Sequence, residues 1–260
     1  MAPHLSSNIV FALLEVSDHQ FPSLNSRGKE SQNSSHSSIS ETPYLSASFP
    51  GQSRPVSAVS LLAAEKSICQ LRLDLIEMLC ISLHAVDYAT KGYAFGFVEF
   101  ALQSPSGRKK LEYLSQTIIA ASRELYEAEL DDPQLDFIES ARAISAALST
   151  ICQHAYEISS HTVALLRGDI HRNSKELVQL GERADSLLRL CIVAVMKQKV
   201  EYAEAVVRDI DEWRRGIRAS TMIAIASDPH EGHIAASLGQ IMENLCTIAV
   251  ASLLPYRFQG

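Results

Sequence analysis

The chain has 260 residues, 47% of them hydrophobic, and a formal net charge of −7. This length buries a substantial core and suits one large domain or two small ones. The acidic balance and the lack of Lys/Arg clusters exclude a generic nucleic-acid binder, because a phosphate backbone is neutralised by such clusters.

Near the N-terminus, "NIVFALLEV" lacks a basic region before it and a small-residue cleavage site after it, and it soon meets Asp18 and His19. It is expected to be neither a signal peptide nor a membrane span. From Ser23 to about Ser60 serine dominates, with prolines and glycines and no helical or strand period. Such a segment cannot bury enough apolar surface to offset its ordering entropy, so residues 1–58 are predicted to be a largely disordered tail.

Beyond the tail the chain becomes rich in Ala, Leu and Ile with almost no strand-like alternation, and reads as all-α. A first helix over about Ser60–Thr90 carries two stripes, Ile68, Leu71, Leu75, Met78 and Ile76, Leu79, Leu83, Val86, which implies burial on more than one face. A turn is predicted at Gly92, and a break at "SPSG", where Pro105 and Gly107 oppose helix continuation. The helix resumes to about Leu130. "LDDPQLDF" then starts a third helix, with Asp131 or Asp132 as cap and Pro133 in the first turn. Its stripe, Phe137, Ala141, Ile144, Leu148, Ile151, Ala155, Ile158, Thr162 and Leu165, alternates steps of four and three.

A midpoint turn is expected at Gly168 to Asn173, with Ser174 as a cap. Leu177, Leu180, Ala184, Leu187, Cys191 and Ala194 stripe the fourth helix, and Ala203, Val206, Ile210, Trp213 and Ile217 the fifth. The outer side of the fifth pairs Glu204 with Arg208, Arg208 with Glu212 and Asp211 with Arg215, four apart, as a solvated face. "SDPHEG" opens the sixth, striped by Ile234, Leu238, Ile241, Leu245 and Ile248. The longest apolar runs, "LLRLCIVAVM" and "TIAVASLL", fall short of the roughly 20 residues of a spanning helix, and no membrane insertion is expected.

"LSTICQHAYEISS" (148–160) and "LGQIMENLCTIAV" (238–250) share Leu and Ile at matched places, and both helices begin after an Asp-Pro turn, Asp132-Pro133 or Asp228-Pro229. The economical architecture is two tandem antiparallel three-helix bundles, residues 59–168 and 169–260.

At these residues the chain resembles the PhoU family, two-repeat helical regulators of bacterial phosphate uptake, whose third helices read LERIGDHAxNIAE. The first stretch keeps Leu148, Ile151, His154, Ala155 and Ile158; the second keeps Leu238, Ile241, Ile248 and Ala249, with Glu243 where the family has aspartate. "MKQKVEYAEAVVRDIDE" resembles the family's turn and second helix, and "TKGYAFGFVEF" is a faint counterpart in the first repeat. The resemblance covers about Val59 to the C-terminus. It implies a non-enzymatic adaptor docking on transporter or sensor-kinase partners, with a homodimer among its assemblies.

The family's E/DxxxD motifs are linked to metal binding. Here the corresponding pairs are Ser149 with Gln153 and Gly239 with Glu243, so three of four carboxylates are absent and no multinuclear cluster is expected. His154, Glu157 and His161 share one face of the third helix and could hold a single ion with help from another element; Glu243 completes the candidate metal residues. Cys80 and His84 read as a buried thiol beside a histidine, and His230 and His233 as capping or solvent groups. The five cysteines lie in apolar helical patterns without a CxxC pair, as free thiols in a reducing, cytoplasmic setting do. No GxxxxGK[ST], GxSxG or HExxH occurs, so catalysis has no residue set to rest on. The alternative to the adaptor is a structural or oligomerisation bundle without a phosphate role, and behind it a metal-dependent activity at His154.

Overall fold

A computed structural model describes residues 58–128, 130–168, 174–216 and 228–253. The expected tail up to Ser57 and the turn residues 169–173 lie outside these. From Ala58 onward the chain forms one compact unit, and the described residues are helical, with no strand among them. The helices are α1 (Ala58–Phe95), α2 (Val98–Gln103), α3 (Arg108–Tyr126), α4 (Asp132–Arg167), α5 (Lys175–Lys197), α6 (Val200–Gly216) and α7 (Pro229–Leu253).

The first helix is longer than its sequence suggests. Gly92 is helical, and the turn falls at Gly96, whose φ of 68° suits a residue without a Cβ. The reason for Gly92 is proximity: a Cβ there would stand 2.9 Å from the Ala101 backbone nitrogen, so the missing side chain lets α2 fold back against α1. "SPSG" forms a short 3-10 turn, Ser104–Gly107, fastened to α1 by the Ser104 hydroxyl, which donates to the Ala85 carbonyl at 3.0 Å.

At the start of α4, Asp131 is the cap. Its carboxylate accepts from the Gln134 amide while the Gln134 side chain accepts from the Asp131 amide, a reciprocal capping box. Ser174 caps α5, and Gln198, at φ 50°, ends that helix in the left-handed region so that α6 begins two residues later.

Cross-helix contacts give the topology. Arg72 lies over the Phe137 ring at 4.9 Å, the Ser145 hydroxyl meets the Met78 sulfur and Cys152 meets Ser82, so α1 and α4 run parallel. Between them α3 runs the other way, with Lys110 paired to Glu77, Ser115 to Ser145 and Tyr126 to Glu139. In the second set α5 and α7 are parallel, Ser174 bonding Glu231 and Cys191 reaching the Leu245 carbonyl, while α6 returns with Asp209 on Arg183 and Arg214 on Glu243. These are two tandem antiparallel three-helix bundles. The most extensive helix contact joins them: α4 and α7 pack antiparallel, with Ser140 donating to the Ala251 carbonyl at one end and Glu157 accepting from Ser237 toward the other.

The stripes fill this architecture. Ile144, Leu148, Ile151 and Ile158 on α4 and Ile234, Leu238, Ile241, Leu245 and Ile248 on α7 are buried, each contributing about 1.5–3 kcal/mol of apolar burial. Phe137, at the edge of its stripe, is only half-buried. Among the described residues α7 is the one helix long and apolar enough to cross a membrane, which corrects the expectation from "TIAVASLL" alone; 61% of its apolar window is buried inside the bundle, as befits a core helix packed against α4, α5 and α6.

Candidate functional site: a histidine seam and an arginine-filled acidic face

Two polar regions flank the α4–α7 contact. The first grows from the "QHAYEISSH" face of α4. His154 Nδ1 is 2.8 Å from Glu157 Oε2, which also accepts from Ser237 at 3.1 Å, while Gln153 donates to Oε1 at 3.1 Å. Burial alone would raise the Glu157 carboxyl, but these hydrogen bonds, with His154 beside it, hold it below the usual glutamate range.

One turn on, His161 faces α7. Its Nδ1 lies 3.1 Å from His230 Nδ1, and its ring stacks on His233 with centroids 4.5 Å apart and an interplanar angle of 6°. The two α7 histidines are three apart in the first turns of that helix, where Asp228 Oδ1 caps by accepting from the His230 amide at 2.7 Å. His161 and His230 are half-buried and His233 is exposed. Burial lowers the His161 pKa, and His233 and His230 lower it further, with Glu157 opposing. Burial in the seam thus favours the neutral form of His161.

The structure thus joins His154 to Glu157 and sends His161 to His230 and His233, which the sequence pattern had read as capping or solvent groups. Glu243 lies elsewhere on α7. No three His, Cys, Asp or Glu side chains among the described residues stand preset around a metal position. Nor is Cys80 wholly buried: it is half-exposed, its thiol raised by burial and by Glu77, while His84 is exposed beside the Tyr88 ring.

The second region is the acidic face of α6 and α7. Arg214 forms a fork on Glu243, with Nε at 3.0 Å, and also donates to Asp211 Oδ1 at 2.8 Å. Arg183 holds Asp209. The i,i+4 partner expected for Asp211 is displaced: Arg215 donates instead to the Asp211 carbonyl. At the motif positions without carboxylates, the Ser149 hydroxyl donates to the Ser145 carbonyl and the Trp213 ring covers Gly239, 3.8 Å from where a Cβ would stand. These residues do not fit the multinuclear metal site that the family motif implies. Guanidinium groups occupy the carboxylates that remain.

No known protein family matches the sequence, and no curated protein matches it. The fold does have a counterpart: the crystal structure of PhoU from Pseudomonas aeruginosa aligns with a TM-score of 0.67 over 74% of this chain and 98% of that one, at 16% identity. The chain has the PhoU fold.

Proposed function

We propose that this protein is a non-enzymatic, PhoU-like regulatory adaptor, acting in the cytoplasm on phosphate transport or phosphate-responsive signalling through contacts with transporter or sensor-kinase components. The observation that carries the reading is the fold match, which spans nearly the whole of the Pseudomonas aeruginosa PhoU chain. It is supported by the matched stretches around Ile151 and Ile241, which occupy corresponding core places in the two bundles. The absence of any recognised catalytic motif from the sequence leaves surface contact as the means of action. The division into bundles at residues 59–168 and 169–260 belongs to the same reading.

A second reading, a structural or oligomerisation bundle, is favoured by the Arg214–Glu243 fork, since it closes the acidic surface. Isolation of the tagged full chain from its native cells, phosphate-starved and phosphate-replete, separates the two. The adaptor reading expects a phosphate-transport or sensor-kinase component to co-purify in one state more than the other; recovery of the chain with itself alone in both states supports the bundle reading.

A further inference from the structure

We propose that His161, His230 and His233 form a pH-sensitive latch on the contact between α4 and α7, closed while at most one of the three rings is charged and released as further protons bind. The facing atoms set this limit. His161 Nδ1 and His230 Nδ1 stand 3.1 Å apart, so one carries a hydrogen and the other offers a lone pair. A single positive charge is tolerated, because a cationic ring still donates to a neutral one. Two cationic rings would turn N–H against N–H, and the pair must part. His233 lies parallel to His161, with centroids 4.5 Å apart and an interplanar angle of 6°, so a charge on it repels a charge on His161 at the same close range.

The surroundings do not offset a second charge. Among the described residues, the charged groups acting on His161 are His233 and His230 from α7 and Glu157 from its own helix, and only Glu157 favours a cation. That carboxylate is already engaged by His154, Gln153 and Ser237. On α7, Asp228 accepts from the His230 and Glu231 amides, and Glu231 turns to Tyr93 of α1 and to the Ser174 amide before α5. The folded seam therefore binds fewer protons than the same imidazoles in the unfolded chain. By linkage its stabilisation is complete above the unfolded histidine value of about 6.5 and is lost as pH falls from there toward the lower folded value. Because α4 and α7 carry the contact between bundles, release acts on that contact, at the first turns of α7.

The test is the melting temperature of the full chain from pH 8 to pH 5.5 at constant ionic strength, with far-UV circular dichroism on each variant. Wild type is compared with His161→Gln, His230→Gln, His233→Gln and the control His84→Gln, an exposed histidine outside the seam. Wild type and His84→Gln are expected to lose about 2–4 °C more over this range than His161→Gln or His230→Gln, with His233→Gln between them. Glu157 titrates below the range and does not contribute. Hydrogen exchange locates the effect: protection of the Ile234 to Leu238 amides, corrected for intrinsic rates, is expected to fall toward pH 5.5 in wild type and to stay level in His230→Gln. Should His161→Gln or His230→Gln lose helicity at pH 8, the exposed His233→Gln decides, and a loss equal to that of wild type overturns the proposal. So does a wild-type melting temperature that stays level from pH 8 to 5.5, or one that falls in parallel with a folded His230→Gln. None of these outcomes depends on the adaptor reading.

Discussion

Tyr93 donates its phenolic hydrogen to Glu231 Oε1 across 2.8 Å, tying α1 to the first turn of α7 although 138 residues separate them. The Ser174 amide donates to both the tyrosine oxygen, at 2.9 Å, and the carboxylate, at 3.3 Å. A buried carboxylate is thereby satisfied where α1, α5 and α7 meet, and burial together with the bond to Glu231 drives the Tyr93 pKa well above the usual phenol value.

Removing the hydroxyl measures this junction. Tyr93→Phe preserves the ring but withdraws one partner from Glu231, which then relies on Ser174. The expected loss is about 1–3 kcal/mol in urea denaturation. An unchanged midpoint would show that water replaces the phenol without cost.

Gly92→Ala tests the close approach of α1 and α2. Alanine favours a helix over glycine by about 1 kcal/mol, but its methyl carbon meets the Ala101 backbone, which cannot rotate away as a side chain can. Overpacking of this kind costs about 1–3 kcal/mol, so a net destabilisation is expected. A stabilised variant would mean that α2 is free to move off α1.

Ile151 and Ile241 are both fully buried, one in each bundle. Replacing either with Asp puts an unpaired carboxylate in place of a packed side chain, and each variant is expected to lose about 4 kcal/mol or more. Matched losses in chemical denaturation support their equivalence; a wild-type midpoint in either variant contradicts it.

Glu157 gives a pH signature. Its folded-state carboxyl titrates below the ordinary glutamate range, so its ionised form favours folding: the contribution is complete above the unfolded value of about 4.3 and is lost as pH falls through the lower folded value. Melting temperatures taken from pH 6 downward to pH 3 should therefore fall more steeply for wild type than for Glu157→Gln. Parallel curves would show that the hydrogen bonds from Gln153, His154 and Ser237 do not discriminate the charged carboxylate.

Much of this architecture is legible in the sequence because helix periodicity is a local signal. The α4 stripe from Ala141 to Leu165 could be read from its steps of three and four, and Ser174 from its place before an apolar run; the α4 cap could be narrowed to Asp131 or Asp132, and only the placed backbone selects Asp131. Gly92 misleads because a glycine marks a turn and a close helix contact alike, and only the position of Ala101 separates the two. The histidine seam is illegible locally: His161 and His230 lie 69 residues apart, and the pairing exists only once α4 and α7 are placed antiparallel in register. Arg214 is hidden for the same reason, since a helical wheel offers Arg215 to Asp211 while α7 draws Arg214 to Glu243.

The proposed role in phosphate handling is measured by uptake of radiolabelled phosphate in the native cells. Cells lacking the chain, wild-type cells and cells re-expressing it are compared after growth in excess phosphate and after starvation. Loss of the chain is expected to alter uptake in at least one of these states, and re-expression of the wild-type chain to restore it more fully than re-expression of the destabilised Ile151→Asp chain. Identical uptake with and without the chain in both states would contradict it.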